Sequence, residues 1–328
     1  RSTLFPYTTL FRSLELRQRF TSVANQVFTK KYLVRSAAAV IGIILVIGGL
    51  HLYQGKPTQT MPAPISQEMV AAMQKAEASD INEATLQVGN EKPQQVRSLT
   101  SFLQAIAQQD VDEDVKGTLT TRHDKEFWMT LPDGTRVHLN GNSRLSYPLA
   151  FKGDLREVAL VGEAYFIVAK DKVHPFIVHT ADGDIKEYGT EFNVSTHGTN
   201  TEVVLVRGSI SVKPKLGTEK MMAEGEKAAI VDKAEMASAK LAMSRVDVGP
   251  YIAWNTGHFS FDGCTLEELM QVVGKWYDRE VVFDSESLRK VRFTGSLSRY
   301  ESIDNTLDVI RSIANVKMEL QDNKIVIH

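Results

Sequence analysis

Residues 36 to 53, SAAAVIGIILVIGGLHLY, carry no charged side chain. At about 1.5 Å of rise per residue, a continuous helix over this run measures roughly 27 Å, close to the ~30 Å hydrocarbon core of a bilayer. A helix buried in a soluble core would keep a polar stripe, and a cleaved signal peptide would have a shorter apolar centre ending in a small-x-small site. The run has neither and ends in His51, Leu52 and Tyr53. The pattern predicts a single transmembrane helix over 35–53. Lys30, Lys31 and Arg35 lie at its front and only Lys56 follows closely, so the N-terminus is expected inside and the rest outside. Tyr32 and Tyr53 stand where interfacial aromatics anchor a span.

Before the span, residues 14–34 have apolar positions at 16, 20, 23 and 27, near helical spacing, and read as a short cytoplasmic stub. Within residues 1–13, RSTLFPYTTLFRS, Thr3 to Ser13 match the translation of a common sequencing-adapter oligonucleotide, and the segment is read as adapter-derived. Beyond the span, residues 54–126 read as a linker and preliminary segment, with Gly55, Pro57, Pro62 and Pro64 in a polar, Ala-rich context. Within it a hairpin is expected around Gly89 and Asn90, and a short helix over 99–109. Asp110, Asp112 and Asp114 open like a calcium loop, but Val115 and Thr121 stand where that loop needs Gly and Glu, so a solvated loop is expected.

From Phe127 the texture changes to short apolar runs broken at Asp133-Gly134, Gly153-Asp154 and Asp182-Gly183. Strands at 8 to 12 residue spacing, with no helical period between them, predict an all-β sandwich or barrel-like domain over 127–245. Residues 157–170 carry Val158, Leu160, Ala164, Phe166 and Val168 on one face and Val161, Tyr165 and Ile167 on the other, which predicts one strand central to the sandwich.

Residues 251–328 alternate differently. Two helical stripes, Leu266, Leu269, Met270, Val273, Tyr277 and then Ile303, Leu307, Ile310, Ala314, are set between strand-like runs. Thr265 with Glu268 forms a predicted capping box, and Ser302 opens the second helix. The order predicts a small α+β domain, βαβ then βαβ, with both helices on one face of a sheet closed by the C-terminal strand. The whole is a multi-domain chain: one membrane helix, a β domain and an α+β domain.

A net charge of −2, with basic residues scattered after the span, gives no nucleic-acid footprint. The one cysteine, Cys264, excludes an intrachain disulfide, so burial of apolar surface must hold the outer domains together. Neither a glycine-rich phosphate loop nor a nucleophile elbow is present, and the 8 His are dispersed, so no enzyme chemistry, cofactor or metal site is expected. His138 and His179 read as outward-facing strand residues.

The series LPDGTRVHLNGNSRLSYP, FKGDLREVALVGEAYFIVAKD, PFIVHT, YGTEFNV and VVLVRGSISV resembles the FecR domain in order and spacing, over about residues 127 to 232. The C-terminal unit resembles the domain that follows FecR domains, itself similar to the short signalling domains of secretins and TonB-dependent receptors. The resemblance implies a single-pass inner-membrane anti-sigma factor with periplasmic C-terminal domains. Its implied partners are an extracytoplasmic-function sigma factor inside and the signalling domain of a TonB-dependent outer-membrane receptor outside. Whether that receptor imports an iron chelate or a glycan stays open, and the sigma-binding helices are expected where the adapter-like sequence stands. Some FecR-like regulators cleave themselves at the Gly-Thr of YGTEFNV, which points to Gly189 and Thr190: a Thr hydroxyl can attack the preceding carbonyl, and Gly leaves that carbonyl unhindered.

For the receptor contact, strand addition at an edge of the last domain is expected, through Phe293, Gly295 and Leu297 or through Lys324, Ile325, Val326 and Ile327, with Trp276 and Tyr277 as aromatic anchors. The alternative is a membrane-anchored periplasmic carbohydrate- or envelope-binding module, which predicts an exposed platform among Phe127, Trp128, Tyr147, Phe151, Tyr165, Phe166 and Phe176.

Overall fold

Alternation of apolar and polar residues builds two sheets whose inner faces share one core. The computed structural model describes residues 65–78, 81–98, 115–231 and 240–328. The expected span 35–53 with Lys30, Lys31, Tyr32, Arg35 and Tyr53, the helix expected over 99–109 and the acidic run at 110–114 lie outside the described residues. Among the described residues no helix is long and apolar enough to cross a membrane.

The first described element is helix α1 (Gln67–Ala78), where the pattern suggested a tether. Met69, Ala72 and Ala76 recur on one buried face, and Ser66 Oγ accepts from the Met69 amide at 3.2 Å. Strands follow as β1 (Ala84–Val88), β2 (Gln94–Val96), β3 (Lys116–Thr120), β4 (Phe127–Thr130) and β5 (Arg136–Leu139). Next come β6 (Arg144–Pro148), β7 (Arg156–Val161), β8 (Glu163–Ile167), β9 (Phe176–His179), β10 (Gly183–Glu187) and β11 (Glu191–Ser195). The sandwich ends with β12 (Thr201–Arg207), β13 (Ile210–Pro214), β14 (Lys220–Met222), β15 (Glu226–Val231) and β16 (Lys240–Arg245).

One sheet has nine strands in the order β14-β13-β10-β9-β7-β6-β3-β1-β2, the other seven in the order β16-β15-β12-β11-β8-β5-β4. Neighbours are antiparallel except β7 and β9. Phe166 and Phe192 of the seven-stranded sheet stack at 5.2 Å, and Phe166 meets Phe176 of the facing sheet at 6.1 Å, so the aromatics tie the two layers. β1 to β3 draw residues 84–120 into the nine-stranded sheet, and the expected hairpin at Gly89 is β1 with β2. The sandwich thus extends N-terminally of residue 127: Leu86 and Leu119 point inward from strands whose polar residues face out.

The single central strand expected over 157–170 is two strands in different sheets. β7 has a strictly alternating burial pattern that leaves Val161 63 % exposed, and the chain then turns at Gly162 into β8 of the other layer. Gly162 has φ +100°, and a Cβ there would sit 2.6 Å from the Ser143 Cα. Only Gly makes this corner. The second apolar face belongs to β8 alone: Tyr165 and Ile167 are buried on the outer side, beneath Met69 of α1 and Trp254.

The C-terminal domain comprises β17 (His258–Thr265), α2 (Leu266–Tyr277), β18 (Glu280–Phe283), a single helical turn (Glu286–Arg289), β19 (Arg292–Ser298), α3 (Ile303–Ala314), β20 (Met318–Gln321) and β21 (Lys324–Ile327). The capping box is present: Thr265 Oγ1 accepts from the Glu268 amide, and Glu268 Oε2 accepts from the Thr265 amide at 2.7 Å. Ser302 caps α3. The expected single sheet is instead two: among the described residues β17 pairs only with β19, while β18, β21 and β20 form the other. β17 bulges between Phe261 and Cys264, and β21 runs parallel to β18. α2, α3 and both sheets close on one core around Leu269, Met270, Phe293, Leu307, Ile310 and Ile325.

Candidate functional site

β10 and β11 belong to opposite sheets, so the two residues expected to react lie on a link between layers. Gly189 has φ +132°, and a Cβ would fall 2.6 Å from Lys170 Cγ and 2.9 Å from Lys170 Cα. The position admits only Gly. Thr190 is buried, its carbonyl accepting from the Val168 amide at 2.9 Å. Its hydroxyl donates to Glu187 Oε2 at 3.0 Å, and the Gly189 amide donates to the same oxygen.

Glu187 is fully buried, and its Oε1 has no hydrogen-bond partner among the described residues. Burial pushes its carboxyl up to about 7, against the opposing pull of these hydrogen bonds and of the Arg156 charge. Arg156 is fixed by Asp133 Oδ2 at 2.7 Å and by the Ala169 and His174 carbonyls at 3.0 and 2.9 Å. A carboxyl poised near neutrality therefore shares a hydrogen bond with a hydroxyl next to an unhindered Gly carbonyl. That set can move a proton off Thr190 as its oxygen attacks.

A second polar constellation joins the sandwich to the C-terminal domain. Arg299, just after β19, is 2 % exposed. Its Nη1 lies 3.4 Å from Glu126 Oε2, its Nη2 donates to Asn140 Oδ1 at 2.7 Å, and its guanidinium lies 4.0 Å from the Trp276 ring centroid. The Tyr300 hydroxyl donates to Glu126 Oε1 at 2.7 Å, and His138 Nε2 lies 3.3 Å from that oxygen. Burial alone would raise the Glu126 carboxyl, but the His138 and Arg299 charges, with hydrogen bonds from His138 and Tyr300, hold it below its ordinary value. Burial and the Glu126 charge push the Tyr300 hydroxyl up. His138, expected on an outward face, does lie on the outer side of its sheet, yet it is wholly buried between the rings of Trp128 and Trp254 at 4.2 and 4.4 Å.

The proposed receptor-contact residues divide. Lys324, Ile325, Val326 and Ile327 form the middle strand of their sheet, paired on both sides by β18 and β20, so they offer no edge. Among the described residues β19, with Phe293, Gly295 and Leu297, pairs with β17 alone and so has an unpaired edge, although Phe293 and Leu297 point into the core. Trp276 is buried, its indole N–H donating to the Arg299 carbonyl at 3.1 Å, and serves the domain junction instead of a docking face. Tyr277 is half-buried, its hydroxyl bonded to the Glu301 carbonyl and Thr306. Of the aromatics considered for a glycan platform, Phe127, Trp128, Tyr147, Tyr165, Phe166 and Phe176 are buried and Phe151 is half-buried against the core.

Two family models match the two folded units: "FecR protein" over residues 117–211 and "FecR, C-terminal" over 258–327, together just over half of the chain. The chain belongs to the FecR family. This FecR-family fold is similar to the crystal structure, at 1.65 Å, of a protein of Parabacteroides distasonis ATCC 8503 provisionally assigned as an anti-sigma factor. The identity is 25% and the TM-score 0.53, over 64% of this chain and 98% of that one. A second crystal structure so described, at 2.50 Å, gives the same identity and TM-score over 65% of this chain. No curated protein matches.

Glu187, Arg156, Glu126 and Arg299 of this FecR-family chain carry the two constellations, and sequence reasoning names none of them. Glu187 was within reach, being three residues before Thr190 on a strand of alternating burial. Glu126 and Arg299 are 173 positions apart in the sequence, and nothing local to either marks them as partners.

Proposed function

We propose that this FecR-family chain is an anti-sigma factor that carries a signal across the inner membrane. Its N-terminus is cytoplasmic and binds an extracytoplasmic-function sigma factor; its two folded domains are periplasmic and read the signalling domain of a TonB-dependent outer-membrane receptor. The two FecR-family matches, together with the likeness to the Parabacteroides protein, 98% of which the match covers, carry this reading. The full-length protein solubilised from membranes should co-purify with such a sigma factor, identified by mass spectrometry; recovery of none overturns the reading. Protease added to spheroplasts should digest the C-terminal domains.

For the receptor we propose strand addition along β19, the candidate that retains an unpaired edge. A photo-crosslinking residue at Thr294 or Ser296, both exposed, should trap the receptor domain, whereas one at Glu319 on β20 should not. The buried sandwich aromatics weigh against the carbohydrate-binding alternative.

Self-cleavage between Gly189 and Thr190 is a second reading, favoured by the Glu187 hydrogen bond. Thr190 Oγ1 attacks the Gly189 carbonyl carbon as its proton passes to the Glu187 carboxylate. The C–N bond then breaks, the Thr190 nitrogen takes the proton, and water hydrolyses the resulting ester, freeing the Gly189 carboxylate and restoring the hydroxyl. β8 and β12 flank β11 while β10 pairs β13, so the fragments would share both sheets and stay together. Denaturing gels of purified protein should show two fragments that merge into one band in Thr190→Ala; one band in both overturns this reading.

A further inference from the structure

The helical turn Ala253–Thr256, between sandwich and C-terminal domain, is gripped from three sides, and Trp254 is the shared residue. From the C-terminal domain, Arg299 Nη1 donates to the Trp254 carbonyl at 3.4 Å, and the guanidinium lies 5.7 Å from the indole. From the sandwich, Asn193 Oδ1 accepts from the indole N–H at 3.3 Å. From the N-terminal side, Met69 of α1 packs on Trp254, with Tyr165 and Ile167 beneath. α1 is the first described element beyond the expected membrane span.

The energetics of the Arg299 contact make it two-state. Removing a guanidinium and a carboxylate from water costs several kcal/mol for each ion, offset only when every partner is seated; a half-engaged geometry leaves a buried charge uncompensated. Full separation returns both charges to water. Such a pair contributes little net stability but disfavours intermediate positions of the C-terminal domain. The same displacement withdraws Arg299 from the Trp254 carbonyl and ring, and so loosens the surface on which Met69 rests.

We propose that Arg299 and Glu126 form an all-or-none latch by which docking of the C-terminal domain controls the seating of α1 on the sandwich, with Trp254 as the joint. The use of the latch, a receptor domain levering the C-terminal domain free and so releasing the membrane-proximal helix, rests on the signalling reading. The coupling itself needs no partner, so its failure and that of the signalling reading are separable.

Hydrogen exchange on the full chain in detergent micelles tests it. Arg299→Lys and Tyr300→Phe, each of which weakens the hold on Glu126, should speed exchange in α1 at least tenfold while β12 at the sandwich centre keeps its protection. Because coupling is reciprocal, Met69→Ala should speed exchange of the Arg299 amide, which bonds the Gly257 carbonyl at 2.8 Å. Changes confined to β19 and residues 253–257 in the first two variants, with a silent Arg299 amide in the third, overturn the latch. Equal acceleration of α1 and β12 also overturns it, since that is general loosening.

Discussion

The hydroxyl of Thr190 donates to Glu187 Oε2 at 3.0 Å, and the backbone amide of Gly189 reaches the same oxygen. One carboxyl thus holds both residues of the crossing between the two sheets. Burial raises its titration to about 7, so at neutral pH it exists in both forms. The proposed cleavage at Gly189-Thr190, read on gels as a rate after refolding, should rise with pH and level off above about 7. In Glu187→Gln it should be slower by at least tenfold and lose this inflection. Equal rates for wild type and variant at pH 8 would remove Glu187 from the chemistry.

The same shift has a stability consequence. The unfolded carboxyl has its ordinary value of 4.5 and the folded one about 7, so between these values the folded state holds a proton that the unfolded state has released. Stability contributed by this group is complete below pH 4.5, declines as pH rises to 7 and is level above, a change of about 3 kcal/mol. In a Thr190→Ala background, which keeps the chain whole, adding Glu187→Gln should flatten urea-derived stability between pH 5 and 8. An unchanged slope refutes the assignment.

Gly162 is the corner between β7 and β8, with φ +100° and the Ser143 backbone against it. Gly162→Ala meets both an unfavourable backbone region and a clash, each costing about 1–3 kcal/mol. A drop in urea midpoint corresponding to at least 2 kcal/mol is expected, against a smaller one of about 1 kcal/mol for Gly153→Ala, where a positive φ also applies but a Cβ meets nothing within 4 Å.

Strand existence, turn positions, both helix caps and the α+β character of the last domain were legible because each is written in a short window: alternation in β7, Thr265 with Glu268, Ser302 before α3. What was not legible depends on chain returning from afar. The two apolar faces of 157–170 look like one central strand until α1 and Trp254 arrive to cover Tyr165 and Ile167. Gly189 and Thr190 were visible through their motif, whereas their hydrogen-bond partner Glu187, and Arg156 whose charge acts on it, are ordinary charged residues until the fold buries them.

Arg156 is buried with Asp133 at 2.7 Å, and its charge opposes the burial of Glu187. Arg156→Met removes the partner of Asp133 and the donor to two carbonyls, a loss of about 3–5 kcal/mol. It should also move the Glu187 titration above 7, shifting the cleavage inflection to higher pH. Restoring the first effect with Asp133→Leu, while the second persists, would separate packing from electrostatics.

Deleting residues 324–328 takes out the middle strand of the β18-β21-β20 sheet, along with the buried Ile325 and Ile327. Both neighbours then lose their ladder at once, and the two isoleucines forfeit about 2–5 kcal/mol each by analogy with truncation to Ala. A domain of this size has about 5–15 kcal/mol in total, so it should unfold. The sandwich draws on a separate core and should persist, although without the Arg299 contact. Thermal unfolding followed by Trp fluorescence should show one transition near the wild-type sandwich value. Native-like protection of α2 and α3 in hydrogen exchange of the truncated chain would contradict the central placement of β21.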